Sequence, residues 1–425
     1  MSNDNFYERF ENFQSDVNQK NALGGVFSVT GSSLGAEVSI NIDGNTMPVT
    51  SYMSLDYLGM GQEPAVIENC IRNIRSLGTG FASSRTVMES SQHQALENAL
   101  ADFKRMKSCL LVNTGYLANV ILPQLIFDDV IVTGGYKLRR PRKKTVVCMD
   151  RLTHASLLST LATMKGKRVV DNVKKYDHLD YDSLQSMLDE YKSDDVQKFI
   201  FTDSLFSMGG DFANVRLLLD FAKHYDAILV IDNAHADGVY GAEGRGYLEA
   251  QGITSQDDLK YIIQTGTLSK AICALGGHIT FPSSSPVDLA KFSQWEFIFS
   301  VAIPTFLAAT CVHSIRLIRG DMGDKKREQL HILSAILRSR LQERGFNILR
   351  STSHIIPIVI GTADTCLAVH DYLLREHRIW IGPIRWPAVS ENGALLRCAV
   401  TANHSEENIG ELIEALEKAR NQFSF

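Results

Sequence analysis

Residues 227–246 read AILVIDNAHADGVYGAEGRG. The first six, Ala227 to Asp232, are a nearly continuous apolar run that closes on a carboxylate. A run of that length and branching has the composition of a strand covered on both faces. A carboxylate at its end is costly unless a metal, a cation or a hydrogen-bond donor meets it. The glycines that follow break the pattern into a turn-rich segment. Five more short apolar runs resemble this one: SCLLVNT (108–114), KTVVCMD (144–150), QKFIFTDS (197–204), LKYIIQTG (259–266) and GHITF (277–281). Stretches of helical periodicity lie among and around them, such as PAVIENCIRNIRSL (64–77) and HQALENALADFKRM (93–106). Apolar strands separated by helices predict an α/β class protein with a mostly parallel sheet between helical layers.

Outside this region the pattern changes. Residues 1–22 read as an amphipathic helix with Phe6, Phe10 and Phe13 on one side, and 24–52 as a hairpin or arm. A long helical segment follows Pro304. Beyond it come helix (327–345), strand (354–361), helix (365–377), strand (394–402) and helix (405–423), a smaller α+β set. The expected division is an N-terminal helix and arm over 1–60, a large α/β/α domain over 61–305, and a small C-terminal α+β domain over 306–425.

Composition narrows the classes. With 43 Lys+Arg against 48 Asp+Glu the net charge is -5, so a generally basic nucleic-acid binder is not expected. No apolar run approaches the ~18 residues of a membrane helix. The opening MSNDNFYERFENFQSD is polar and acidic, unlike a secretory signal or an Arg-rich transit peptide. Seven scattered cysteines without a CxxC fit free thiols, and the expected location is the cytoplasm.

Ligand sites in an open parallel sheet gather at the carboxyl ends of the strands. The polar residues there are Asn113-Thr114-Gly115, Asp150, Asp203-Ser204, Asp232-Asn233-Ala234-His235 and Thr265-Gly266-Thr267. No GxGxxG follows a strand and no GxxxxGK[ST] occurs, which speaks against dinucleotide and P-loop sites. Lys270 follows the run ending TGTLS and precedes small residues, a place where a lysine can form a Schiff base. Asp232 could pair with a protonated nitrogen base, bind a metal, or simply cap a helix. No HxxxH or cysteine cluster supplies the further ligands a metal would need. Thr114-Gly115-Tyr116 opens an apparent helix, whose free N–H groups suit a phosphate or merely an ordinary cap.

In order, the chain carries NTGYLAN (113–119), MDRLTHAS (149–156), TDSLFSMGGD (202–211), DNAHADGVYGAEGRG (232–246) and TGTLSKAICALGGH (265–278). This series resembles the α-oxoamine synthases, a branch of the fold-type I enzymes that use pyridoxal 5'-phosphate (PLP). The likeness runs from SLDYLG (54–59) to TANHSEENI (401–409). The resemblance implies that Lys270 holds PLP as a Schiff base and that Asp232 keeps the pyridine nitrogen protonated. It implies that His235 hydrogen-bonds the ring hydroxyl and that His154 stacks on the ring. Thr114, Gly115 and Tyr116 would contact the cofactor, with Ser207 and Thr267 near its phosphate. Arg397 would hold the amino-acid carboxylate. Catalytic roles thus fall on Lys270, His154, Asp232 and His235, and no metal is implied.

The implied reaction is a decarboxylative condensation of an α-amino acid with an acyl thioester, giving an α-aminoketone. The acyl donor would be coenzyme A or an acyl-carrier protein. A homodimer with shared sites is also implied, Ser300 reaching the neighbour's phosphate. An aminotransferase or aldol-type lyase on the same fold is the alternative reaction; a non-catalytic binding subunit is the third, against which Lys270 stands.

Several positions depart from the family pattern. Leu55 replaces an asparagine, Met88 and Glu89 stand where Ser-Gly is usual, and Val301 and Ala388 replace hydroxyl residues. One segment looks extra: GGYKLRRPRKKT (134–145) carries Lys137, Arg139, Arg140, Arg142, Lys143 and Lys144. It is either a solvated loop or a dock for a phosphorylated or acidic acyl donor.

Overall fold

In the computed structural model the amphipathic helix Asp4–Gln19 precedes a three-stranded ribbon, β1 (Ser28–Val29), β2 (Glu37–Ile42) and β3 (Asn45–Ser51). The structure describes residues 4–19, 28–32, 34–128, 130–133, 136–139, 143–166, 170–192 and 195–425. Phe10 and Phe13 are exposed on that first helix.

The apolar runs become the central sheet. After β4 (Ser108–Val112) comes a two-stranded hairpin, β5 (Val130–Thr133) with β6 (Tyr136–Arg139). Then follow β7 (Lys144–Asp150), β8 (Asn172–Tyr176), β9 (Val196–Asp203), β10 (Ala227–Asp232), β11 (Ile262–Thr267) and β12 (Gly277–Phe281). The seven-stranded order is β4-β12-β11-β10-β9-β7-β8. All pairs among β8, β7, β9, β10 and β11 are parallel; β12 runs antiparallel to both β11 and β4. The sheet is thus mostly parallel, the sense expected of a fold-type I transferase. Strand β8 is the member that apolar runs do not reveal. Its sequence NVKKY lies at an edge and is half-exposed, so it needs no apolar code.

Both faces of the sheet are covered. Leu229 and Ile231 of β10 enter one core cluster while Val230 enters the other, and Ile200 alternates with Phe199 and Phe201 on β9. This period of two drives adjacent residues into opposite helical layers. Emptying such a site, as in Phe201→Ala, costs about 3–5 kcal/mol.

The C-terminal part adds β13 (Ile355–Gly361), β14 (Ile379–Trp380), β15 (Gly382–Ile384) and β16 (Ala394–Ala399). Strands β13, β16 and β15 make an antiparallel sheet, while β14 joins β3 in parallel and completes the N-terminal ribbon. The helix Asp321–Glu343 presents Leu330, Leu333, Leu337 and Leu341 at helical spacing to this sheet's core. That core continues into Tyr57, Leu58, Leu268 and Ala271. Two backbone bonds fasten the segment before the second helix to the C-terminal chain: Ala399 N to Tyr52 O (3.0 Å) and Ala402 N to Tyr57 O (2.8 Å). Arg397, in the middle of β16, is thereby carried to the carboxyl end of the large sheet.

Candidate active site

The carboxyl ends of β9, β10 and β11 lie side by side, with Asp203, Asp232 and Thr265 in register. Asp232 is buried. Its carboxylate accepts from Asn119 Nδ2 (2.7 Å) and Ala234 N (2.9 Å), and among the described residues no cation pairs with it. Asp203, beside it, is driven well above the usual carboxylate range by burial and then by the Asp232 charge. His154 N donates to Asp203 Oδ1 at 3.1 Å.

Lys270 stands over this floor. Burial pushes its ammonium down to about 8, with Asp232 pulling the other way. Its Nζ lies 3.1 Å from His235 Nε2, and His235 Nδ1 lies 2.7 Å from the Tyr57 hydroxyl. Burial, and after it the charges of Lys270 and Arg397, hold His235 well below the ordinary imidazole value. The His154 ring is exposed, its Nδ1 tied to Ser156 Oγ at 2.7 Å, so one face is open to a flat ligand.

A second cluster sits where the Asn113–Tyr116 loop crosses β11 and β12. Thr114 caps the helix Gly115–Phe127 through Leu117 N (3.0 Å), which leaves the Gly115 and Tyr116 N–H groups at the open end. Gly277 is required there: a Cβ would fall 2.3 Å from the Thr114 carbonyl carbon. A Cβ on Gly115 would come within 2.9 Å of Thr267 Cβ. The Thr267 hydroxyl meets Ser269 Oγ (2.7 Å) and Gly276 O (3.1 Å). Beneath it a buried Lys104–Asp237–His278 network braces β11 and β12. Burial opposes ionisation of Asp237, yet Lys104 and His278 hold its carboxyl below the usual range. Ser300 Oγ accepts from Asn113 Nδ2 (2.9 Å), placing it at the base of this loop.

Arg397 faces the site from β16. Its Nε donates to Ser207 O at 2.6 Å, and its charge acts on the nearby Tyr57 phenol. Ser207 is therefore drawn toward Arg397 through its carbonyl. Glu89 is absorbed by an ion network with Arg85, Glu97 and Lys291.

The sequence motifs thus bring together Lys270, Asp232, His235, Thr267 and the 114–116 loop. Motif reading passed over Tyr57, Asn119 and the pairing of Asp203 with Asp232. Asn119 had a signal, as a lone amide inside the apolar helix YLANVIL; Tyr57, in SLDYLG, had none beyond its place in a quoted motif.

The aminotransferase class I and II family model matches residues 54–416. The 8-amino-7-oxononanoate synthase of Herminiimonas arsenicoxydans is 33% identical over 385 residues, 90% of this chain and 92% of that protein. The 5-aminolevulinate synthase of Paracoccus denitrificans is 30% identical over 383 residues, 89% of this chain and 88% of that protein. The chain belongs to the α-oxoamine synthases of the aminotransferase class I and II family, which are PLP-dependent acyltransferases. Its fold is that of a serine palmitoyltransferase variant from S. paucimobilis, with a TM-score of 0.84, 22% identity and 98% of both chains covered.

The residues of this α-oxoamine synthase fit PLP. A buried carboxylate without a cation suits a protonated ring nitrogen, and a nearby lysine with a depressed pKa suits a Schiff base. The two glycines leave a shallow cradle over β11 and β12 at a helix N-terminus, which suits a phosphate.

Proposed function

We propose that this α-oxoamine synthase condenses an α-amino acid with an acyl thioester at the Lys270 site, releasing CO2 and thiol and forming an α-aminoketone. The observation that carries the reading is the buried Asp232 carboxylate, unmatched by a cation among the described residues, beside Lys270. PLP bound there supplies the electron sink that stabilises the charge left at the amino-acid Cα by loss of a proton and then of CO2. Asp232, oriented by Asn119 and Ala234, would hold the proton on the ring nitrogen.

Lys270 anchors the cofactor. Its amine would also take the Cα proton of the amino acid, and a pKa of about 8 leaves a usable neutral fraction near neutral pH. Arg397 holds the substrate carboxylate through its fork of N–H donors. His154 would cover the open face of the ring, and His235 would hydrogen-bond the ring hydroxyl. Gly115 and Tyr116 offer backbone donors to the phosphate, with Thr267 beneath them. Ser207, through its carbonyl, fixes the Arg397 side chain.

The names of the relatives support an amino acid and an acyl thioester as substrates, the donor being coenzyme A or an acyl-carrier protein. The assembly we propose is a homodimer in which Ser300 reaches the neighbour's phosphate. Sedimentation of an active monomer would exclude it. Among the described residues no helix is long and apolar enough to cross a membrane, and seven free cysteines support placement in the cytoplasm.

The test is chemical. Borohydride reduction of the holoenzyme followed by peptide mapping is expected to label Lys270. Mass analysis with a panel of amino acids and acyl thioesters is expected to show CO2 release only when both are present. A label on another lysine, or CO2 release without thioester, would sink the assignment.

A further inference from the structure

Tyr57 has no role in the site as described above, yet it is its most constrained member. It is 0% exposed. The turn that carries it is held by Asp56, whose carboxylate accepts from Met60 N (2.8 Å) and Gly61 N (2.9 Å). Its ring packs edge-on against His354, with centroids 4.1 Å apart. Its hydroxyl meets His235 Nδ1 at 2.7 Å, and the Arg397 charge acts on it.

Counting hydrogens gives this arrangement a direction. The Arg397 guanidinium has only donors, so it offers the Tyr57 hydrogen no acceptor. A phenol has one hydrogen, and His235 Nδ1 at 2.7 Å is the acceptor in line for it. The imidazole is neutral, because burial and the charges of Lys270, Arg397, His354 and His154 all disfavour its protonation. A neutral imidazole that accepts at Nδ1 carries its proton on Nε2. Nε2 is the atom that faces Lys270 Nζ at 3.1 Å. The opposite assignment, with a charged Lys270 donating to Nε2, puts the proton on Nδ1. The Tyr57 oxygen would then accept from His235, and its own hydrogen would have no acceptor shown among the described residues.

We propose that Tyr57 is a positioning residue that fixes His235 as the Nε2–H tautomer, so that the imidazole donates into the site instead of accepting from it. This rests on the assignment of Lys270 as the cofactor-bearing residue. Whatever acceptor sits beside Lys270, the PLP ring hydroxyl included, then receives a hydrogen bond from His235.

The experiment is long-range proton–nitrogen correlation NMR on holoenzyme labelled with 15N-histidine, the His235 signals being assigned by their loss in His235→Asn. The wild type is expected to show a neutral His235 protonated on Nε2. Tyr57→Phe keeps the ring on His354 and removes only the oxygen. It is expected to move the proton to Nδ1 or to a mixture, and to lower kcat roughly tenfold, the loss of one buried hydrogen bond. The KM for the amino acid should change less. A wild-type Nδ1–H signal overturns the proposal without any variant, and so does an unchanged tautomer in Tyr57→Phe. Borohydride labelling of Lys270 in the same samples separates the two ideas. If Lys270 is labelled and the tautomer is wrong, only the role of Tyr57 fails; if Lys270 is not labelled, the cofactor reading fails first.

Discussion

Replacing Asp232 by asparagine tests the electron-sink assignment with little damage to the fold. The side chains are nearly isosteric, and the two donors that reach Asp232 are Asn119 Nδ2 at 2.7 Å and Ala234 N at 2.9 Å. The new amide oxygen can keep the bond from Ala234. Its NH2 then faces the Asn119 amide, whose Oδ1 is buried without a partner and can turn to accept. The stability cost is therefore about 1 kcal/mol. The catalytic cost is larger. A carboxylate and a protonated ring nitrogen at ~3 Å attract by roughly 5–6 kcal/mol at an effective dielectric of ~20, before desolvation. Losing half of that in the transition state, ~3 kcal/mol, slows turnover roughly a hundredfold. The assay is steady-state CO2 release and product formation, with PLP content measured on the same samples. A second change should accompany the loss: the Asp203 carboxyl, raised partly by the Asp232 charge, should titrate at lower pH. Turnover within about threefold of wild type at full PLP occupancy would refute the role of Asp232.

Gly115→Ala places a Cβ 2.9 Å from Thr267 Cβ and must displace the helix N-terminus from β11. PLP affinity should fall by tenfold or more, measured by cofactor titration, with the thermal midpoint of the cofactor-free protein changing little. His178 bridges Asp150 (3.0 Å) and Asp211 (2.9 Å); burial opposes its charge, but those two carboxylates lift its pKa to about 9. A pKa raised on folding stabilises fully below the unfolded value of about 6.5 and is lost as pH climbs through about 9. The stability gap between wild type and His178→Gln should thus be widest near pH 6 and close by about pH 10, and a gap independent of pH would contradict the bridge. In the extra segment, Lys137 and Arg139 are exposed on β6, while Arg140 and Arg142 lie outside the described residues. Neutralising these cations should raise the KM for coenzyme A or carrier-protein thioesters in a salt-dependent way and leave amino-acid affinity unchanged. An unchanged KM with both donors would make the segment a solvated hairpin only.

The parts of this protein most visible in its sequence are those where chemistry restricts residue choice. A strand buried on both faces must be apolar, so β4, β7, β9, β10, β11 and β12 announce themselves; half-exposed β8, with two lysines, does not. Lys270 and Asp232 stand out because a charge at the end of an apolar run needs a reason. Tyr57 carries no such mark, and Asn119 only that of a lone amide in an apolar helix. Each matters through a partner more than 100 residues away, Tyr57 through His235 and Asn119 through Asp232. Pairings of that range depend on which strand ends the topology makes adjacent, and local pattern contains no trace of them. The joining of β14 to β3 is hidden for the same reason.

The same geometry limits what the basic hairpin can do. β7 begins at Lys144, directly after it, and ends at Asp150, among the carboxyl ends where Lys270 sits. Six steps of ~3.3 Å put the start of the strand ~20 Å from its end. Lys143 and Lys144 therefore lie at the end of the strand opposite the chemistry. A short thioester headgroup held at Lys270 of the same chain cannot reach them, whereas a donor with a long extension or a broad acidic face can. Surface cations ~20 Å away, beyond the ~8 Å screening length at physiological salt, act on encounter more than on the bound state. The effect of neutralising them should accordingly appear in kcat/KM for the donor and fade as salt is raised, while single-turnover rates after binding stay as they were. A fall in the single-turnover rate would place these cations in contact with the reacting donor and contradict the distance set by the strand.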